Sequence, residues 1–168
     1  MSEACVYVIF GATGNLASIK LLPALYHLDR AGRLHPDLRI LCCGRATHDQ
    51  AHWHATVREW VAARARGGLD EAVYARFCAR LHYLQGDLRD AATYGAIRDY
   101  LAAGAARNAA FYMSVGPAEF GRITECLSAH GMLEENGGWR RVVVEKPFGY
   151  DLVSAQDLQR KIARHVAE

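Results

Sequence analysis

Residues Val6 to Lys20 read VYVIFGATGNLASIK: an apolar run that stops at Gly11, a turn of glycine and small residues, then a helical pattern. Strand, tight glycine turn and helix N-terminus in this order make an anion cradle, because the first backbone N–H groups of a helix lack internal partners and can face a phosphate. Gly11 permits the sharp turn, Gly14 lets the backbone approach a pyrophosphate without an intervening Cβ, and Ala17 takes the third small position. The resulting G-x-x-G-x-x-A is a variant of the dinucleotide fingerprint. Plain strand-to-helix packing is the other use of such a turn, and its place after an apolar strand near the N-terminus favours the dinucleotide.

Outward from this stretch, apolar runs of strand length alternate with longer periodic segments, the pattern of an open parallel sheet wrapped by helices. Strands are expected at about 4–10, 38–43, 81–85, 109–114 and 141–145. A helix from about Asn15 to Ala31 carries Leu16, Ile19, Leu22, Leu25 and Leu28 on one face, stops at Gly32, and should kink at Pro23. Thr47-His48-Asp49-Gln50 reads as a capping box opening a helix to about Arg64, and another covers about 69–80. Asp90 caps a helix to Ala103, Pro117 opens one reaching His130, Glu134 to Gly138 is an exposed loop, and Asp151 caps a final amphipathic helix. The expected fold is α/β: a doubly wound, mostly parallel, Rossmann-like sheet, with residues 1–168 as one dinucleotide-binding domain.

Composition narrows the function classes. A domain of this length buries roughly 70% of its unfolded surface, so it needs no disulfide or metal staple. The net charge of +2, without a basic run, argues against nucleic acid as partner. The five cysteines form no Cys-x-x-Cys pair and read as reduced and buried. No apolar stretch approaches the roughly 20 residues a bilayer span requires, so a cytoplasmic chain without membrane contact is expected. His48, His52 and His54 lie close in sequence but have no second ligand cluster, so they read as a solvated helix face and no metal is expected. Arginines outnumber lysines 17 to 3, which gives weight to finding Lys20 and Lys146 inside motif-like segments.

Where a dinucleotide fold meets the adenine ribose, an acidic residue after the second strand would select NAD. Here RILCC runs into Gly44-Arg45 with no carboxylate before Asp49. A guanidinium forks onto a 2′-phosphate, which points to NADP; a surface arginine in an arginine-rich chain is the plain alternative. Gly86-Asp87-Leu88 forms a turn beside the expected adenine, where Asp87 serves either the cofactor or a local cap. The fourth strand, Ala110-Phe111-Tyr112-Met113-Ser114, ends in Val115-Gly116-Pro117, a turn whose backbone would line the nicotinamide side. The fifth runs through Glu145 into Lys146-Pro147-Phe148-Gly149, which fixes a lysine at the crevice to bind a substrate phosphate or hydroxyl or to orient a reacting group.

With GATGNLASIK, Gly44-Arg45, FYMSVGP and EKPFG in this order, the chain resembles the N-terminal coenzyme domain of glucose-6-phosphate dehydrogenases over essentially its whole length. The resemblance implies NADP on the segment Gly11, Ala12, Thr13, Gly14, Asn15, Leu16, Ala17 and Ser18, with Arg45 on the 2′-phosphate. It further implies Asp87 and Leu88 near adenine, Tyr112 along the crevice, Lys146 between sugar and nicotinamide in a supporting catalytic and substrate-binding role, and a cis Lys146–Pro147 bond. The implied reaction oxidises glucose 6-phosphate to its lactone in the pentose phosphate pathway.

Two departures stand out: Asn15 replaces the common Asp but keeps a capping side chain, and Gly116 replaces a proline, which would loosen the crevice wall. The family's catalytic histidine, in an Arg-Ile-Asp-His-Tyr-Leu-Gly-Lys-Glu stretch, would follow the last helix, and the C-terminal substrate and dimerisation domain would follow that. Without them the chain is expected to bind cofactor better than it turns over sugar, and to form homo-oligomers only when that domain is present. A short-chain reductase needs a Tyr-x-x-x-Lys pair and a P-loop enzyme needs Gly-Lys-Ser/Thr, and neither is present. A non-catalytic NADP-binding module remains the alternative from another class.

Overall fold

Five parallel strands, β1 (Cys5–Phe10), β2 (Arg39–Gly44), β3 (Leu81–Gln85), β4 (Asn108–Met113) and β5 (Arg140–Val144), form one sheet in the order β3-β2-β1-β4-β5. The structure is a computed structural model describing residues 3–146, 149 and 151–166. β1 is buried on both faces, which is why it reads as an unbroken apolar run. Its side chains alternate between two cores: Cys5 and Ile9 join Ile40 and Cys42 on one face, while Val6, Val8 and Phe10 join Leu41, Cys43 and Phe111 on the other.

The first face is covered by α1 (Leu22–Arg30), α2 (Gln50–Ala62) and α3 (Glu71–Cys78) through Leu22, Tyr26, Trp53, Val57 and Phe77. The second is covered by α4 (Ala91–Ala102), α5 (Phe120–Ala129) and α6 (Leu152–Ala163) through Tyr94, Ile97, Phe120, Ile123 and Leu158. Helices on both faces, with β1 feeding β2 on one side and β3 crossing back to β4 on the other, make the sheet doubly wound. Its switch point lies between β1 and β4, where ligand crevices of such sheets open.

Some local expectations change. The helix after Gly14 opens in α-geometry with Ser18 N–H to Gly14 O, widens into a π-helical turn, Ala17–Leu21, closed by Leu22 N–H to Ala17 O, and returns to α-geometry at Leu22. Pro23 has no N–H to give and its ring crowds the carbonyl one turn back, so the helix widens just ahead of it. The cap of α2 is Asp49, whose carboxylate accepts from His52 N–H at 2.7 Å, and the capping box expected from Thr47 does not form. The neighbouring histidines are not simply solvated: His48 stacks on His52 at 4.7 Å and packs edge-on to Tyr83 at 5.1 Å, and His54 Nε2 lies 3.1 Å from Leu81 O. The five cysteines are free; burial pushes Cys42 well above the ordinary thiol range and Cys43 up to about 12, so both are inert packing groups. No helix among the described residues is long and apolar enough to cross a membrane.

Candidate functional site

A crevice of ≈ 300 Å³ opens at the carboxyl ends of the strands, over the switch point. Its floor is the glycine turn, Gly11, Thr13 and Gly14, against the ends of β2 (Cys43, Gly44, Arg45) and β3 (Gly86, Asp87, Leu88, Arg89). Ser114, Val115 and Glu119 close it from the β4 side. Gly11 is required twice over: its φ is +76°, and a Cβ there would lie 2.4 Å from Ser114 O and 2.8 Å from Val115 Cγ1.

The turn spends part of its own polarity. Gly11 and Ala12 N–H both donate to Cys43 O, at 3.1 and 3.0 Å, and Gly14 N–H donates to Gly11 O, which ties β1 to β2 and fixes the turn. The first helical bond is Ser18 N–H to Gly14 O at 3.0 Å. Gly14 is therefore the capping residue, Asn15 lies one position inside it, and the N–H groups of Asn15, Leu16 and Ala17 precede the first intrahelical bond. Ala12 and Ala17 are fully buried, Ala12 N–H is already spent on Cys43 O, and Asn15, Leu16 and Ser18 flank the turn outside the crevice lining. Lys20, in the π turn, lies outside this crevice.

Arg45 is exposed on the crevice but stands on a braced loop. Tyr83 Oη donates to Ala46 O at 2.7 Å, Gln85 Nε2 donates to Thr47 Oγ1 at 3.0 Å, and Gln50 bonds both the N–H and the C=O of Tyr83. Burial of Tyr83 against the thiols of Cys43 and Cys42 raises its pKa to about 12, so it stays protonated and donating. Gly44 is confined as well, since a Cβ there would meet Tyr83 Oη at 2.8 Å and Thr13 Cγ2 at 2.9 Å. This bracing was illegible in the sequence because Tyr83 and Gln85 belong to β3.

Asp87 Oδ1 accepts from Arg89 N–H at 2.9 Å, so it serves the local turn while lining the crevice. Arg89 also reaches Glu119 Oε1 at 3.6 Å, an ion pair across the crevice mouth. Arg89, Ser114 and Glu119 were not foreseen as site residues; the positions of Ser114 and Arg89 just past strand ends were the available signal. Tyr112 does not line the crevice: its ring lies 5.9 Å from Tyr7, its hydroxyl bonds Glu145, and burial followed by that carboxylate raises its pKa. Lys146 is exposed just beyond β5 and outside the crevice lining. Its bond to Pro147 lies outside the described residues, as does Phe148. Gly116 holds φ −65° and ψ 151°, angles a proline would also take, so its backbone keeps the expected course.

Free N–H groups at a helix start, a glycine floor that a Cβ would fill and a guanidinium at the β2 end suit a dinucleotide. Residues 8–168 match the family described as glucose-6-phosphate dehydrogenase, NAD binding domain. The chain belongs to that family. It is 40% identical, over 99% of its length, to glucose-6-phosphate 1-dehydrogenase of Mycolicibacterium smegmatis, of which it covers 34%. The crystal structure of glucose-6-phosphate 1-dehydrogenase from Mycobacterium avium superposes with a TM-score of 0.88 at 32% identity, over 99% of this chain and 34% of that one. A glucose-6-phosphate dehydrogenase in complex with glucose-6-phosphate gives 0.87 at 30% identity, over 99% and 35%. The chain thus spans about a third of the length of its relatives. Membership makes the chain a nicotinamide-dinucleotide-binding domain.

Proposed function

We propose that residues 1–168 act as the coenzyme-binding domain of an NADP-dependent dehydrogenase that oxidises glucose 6-phosphate to its lactone. The observation that carries the cofactor choice is Arg45 at the carboxyl end of β2, on the crevice, with no carboxylate on that strand end. The two carboxylates of the lining are engaged elsewhere, Asp87 with the Arg89 N–H and Glu119 with the Arg89 guanidinium. A 2′-phosphate placed there gains a charge-assisted fork from Arg45, whereas the ribose hydroxyls of NAD meet no acceptor dedicated to them.

Within this reading the N–H groups of Asn15 and Leu16 hold the pyrophosphate, and Leu88 flanks the adenine. Lys146, beyond the β4 side of the switch point, takes the sugar phosphate or its hydroxyl and brings it toward the nicotinamide. The bound cofactor supplies a hydride acceptor. No histidine lines the described crevice, so the base for the sugar hydroxyl comes from outside it; such a base is worth roughly 10²–10⁴-fold in rate. The glucose 6-phosphate assignment rests on the kinship above.

Calorimetric titration of the chain with NADP and NAD tests the cofactor. Arg45→Ala is expected to weaken NADP about 10- to 100-fold, as loss of a charged hydrogen bond does, and to leave NAD within about twofold. Equal weakening of both would refute the 2′-phosphate role. Reduction of NADP on adding glucose 6-phosphate, against glucose and fructose 6-phosphate, reads the substrate in the same samples.

A further inference from the structure

Of the buried side-chain polar atoms that lack a hydrogen-bond partner among the described residues, Ser114 Oγ is the one that belongs to the crevice lining. The residue is 8% exposed and follows β4 directly. Its backbone is already committed: the N–H reaches Tyr112 O at 3.2 Å, and the carbonyl sits against the glycine turn, where a Cβ on Gly11 would lie 2.4 Å from it. The main chain of Ser114 is thus fixed beside the glycine turn, at the β1–β4 seam. A hydroxyl rotates freely to meet an acceptor, and an unmet one in a buried place opposes folding. A polar atom kept in that condition on a ligand crevice is what a binding group looks like before its ligand arrives.

We propose that Ser114 binds the dinucleotide directly, its hydroxyl donating a hydrogen bond to an oxygen of the nicotinamide-side phosphate or ribose. The inference rests on the dinucleotide reading of the crevice and adds to it a contact on the half of the ligand that Arg45 does not reach. The side follows from topology. Arg45 and Asp87 stand at the ends of β2 and β3, which assigns the adenosine to that flank. Ser114 lies across β1 from them, so a ligand spanning the seam presents its other half to the hydroxyl. Val115 and the protonated Cys43 thiol, the neighbouring lining groups, offer no comparable donor.

The test compares NADP with adenosine 2′,5′-bisphosphate, which keeps the adenosine half and lacks the nicotinamide half. Ser114→Ala is expected to weaken NADP about tenfold, leave the bisphosphate unchanged, and leave the unliganded chain at the same Tm or higher, because an unmet buried hydroxyl has been removed. NADP binding within twofold of the parent chain, or an equal loss for both ligands, would overturn the proposal while the dinucleotide reading stands. If the parent chain binds neither NADP nor NAD, both are overturned.

Discussion

The two halves of the sheet are built to different standards. On the β2–β3 side the edge strand β3 buries Leu81 and Tyr83, and α1 is bound to α3 by Asp29, 2% exposed, whose carboxylate meets Arg76 at 2.9 Å and Arg80 at 3.0 Å. Arg80 also donates to the carbonyls of His35, Pro36 and Leu38, closing the loop into β2. On the β5 side the strand alternates half-buried with exposed residues, and α6 contributes a single buried side chain, Leu158, while Leu152 and Val153 are 72% and 70% exposed. The flank that carries Arg45 is therefore a finished scaffold, whereas Lys146 extends from a thinly covered strand. The cofactor grip proposed for Arg45 needs positional precision, and that flank is where the chain's own core is better covered.

Substitutions graded along this contrast test it. The largest effect belongs to the seam shared by both halves: Gly11→Ala forces a side chain into positive φ and onto Ser114 O. It is expected to cost about 4 kcal/mol and abolish dinucleotide binding, read by urea denaturation and titration. Next, Asp29→Ala strands the largely buried Arg80 and is expected to lower global stability by about 3 kcal/mol. A loss confined to α1 and α3 in hydrogen exchange, with the denaturation midpoint unmoved, would mean that this half is no better integrated than the other.

The smallest effect lies at α6. Asp151 accepts from Ser154 N–H at 2.7 Å and receives the Ser154 hydroxyl's help in a reciprocal cap, and these bonds hold its pKa below the ordinary carboxylate value. A depressed folded pKa means that the stabilisation is present above about pH 4, the unfolded value, and is lost as pH falls through the lower folded one. Amides of α6 are expected to lose protection in that acid range, and at neutral pH in Asp151→Ala, while α1 to α3 keep theirs. Parallel loss in both halves would erase the distinction.

Which parts were legible follows from the range of each signal. The strand starts and ends lay within about a residue of the expected ones, since a strand buried on both faces must be apolar throughout and glycine or a polar residue must end it. The caps Asp90 and Asp151 were legible because a carboxylate two or three residues before its N–H is a local arrangement. Asp49 was misread because Thr47 offered an equally local alternative, and only the chain path toward β3, with Thr47 drawn to Gln85, chose between them. Gly11, Thr13, Gly14, Arg45, Asp87 and Leu88 do meet at one crevice, whereas Tyr112 turns from it toward Tyr7 and Glu145.

By itself, the order of residues determined the alternation of strand and helix, the glycine turn, and the absence of an acid after β2, all of which are properties of neighbours along the chain. Only the folded sheet decided that Ser114 faces Gly11, that Tyr83 braces the loop of Arg45, and that Arg89 reaches Glu119. Those contacts join strand ends far apart in sequence, and what brings them together is the sheet order, set by burying two apolar faces at once.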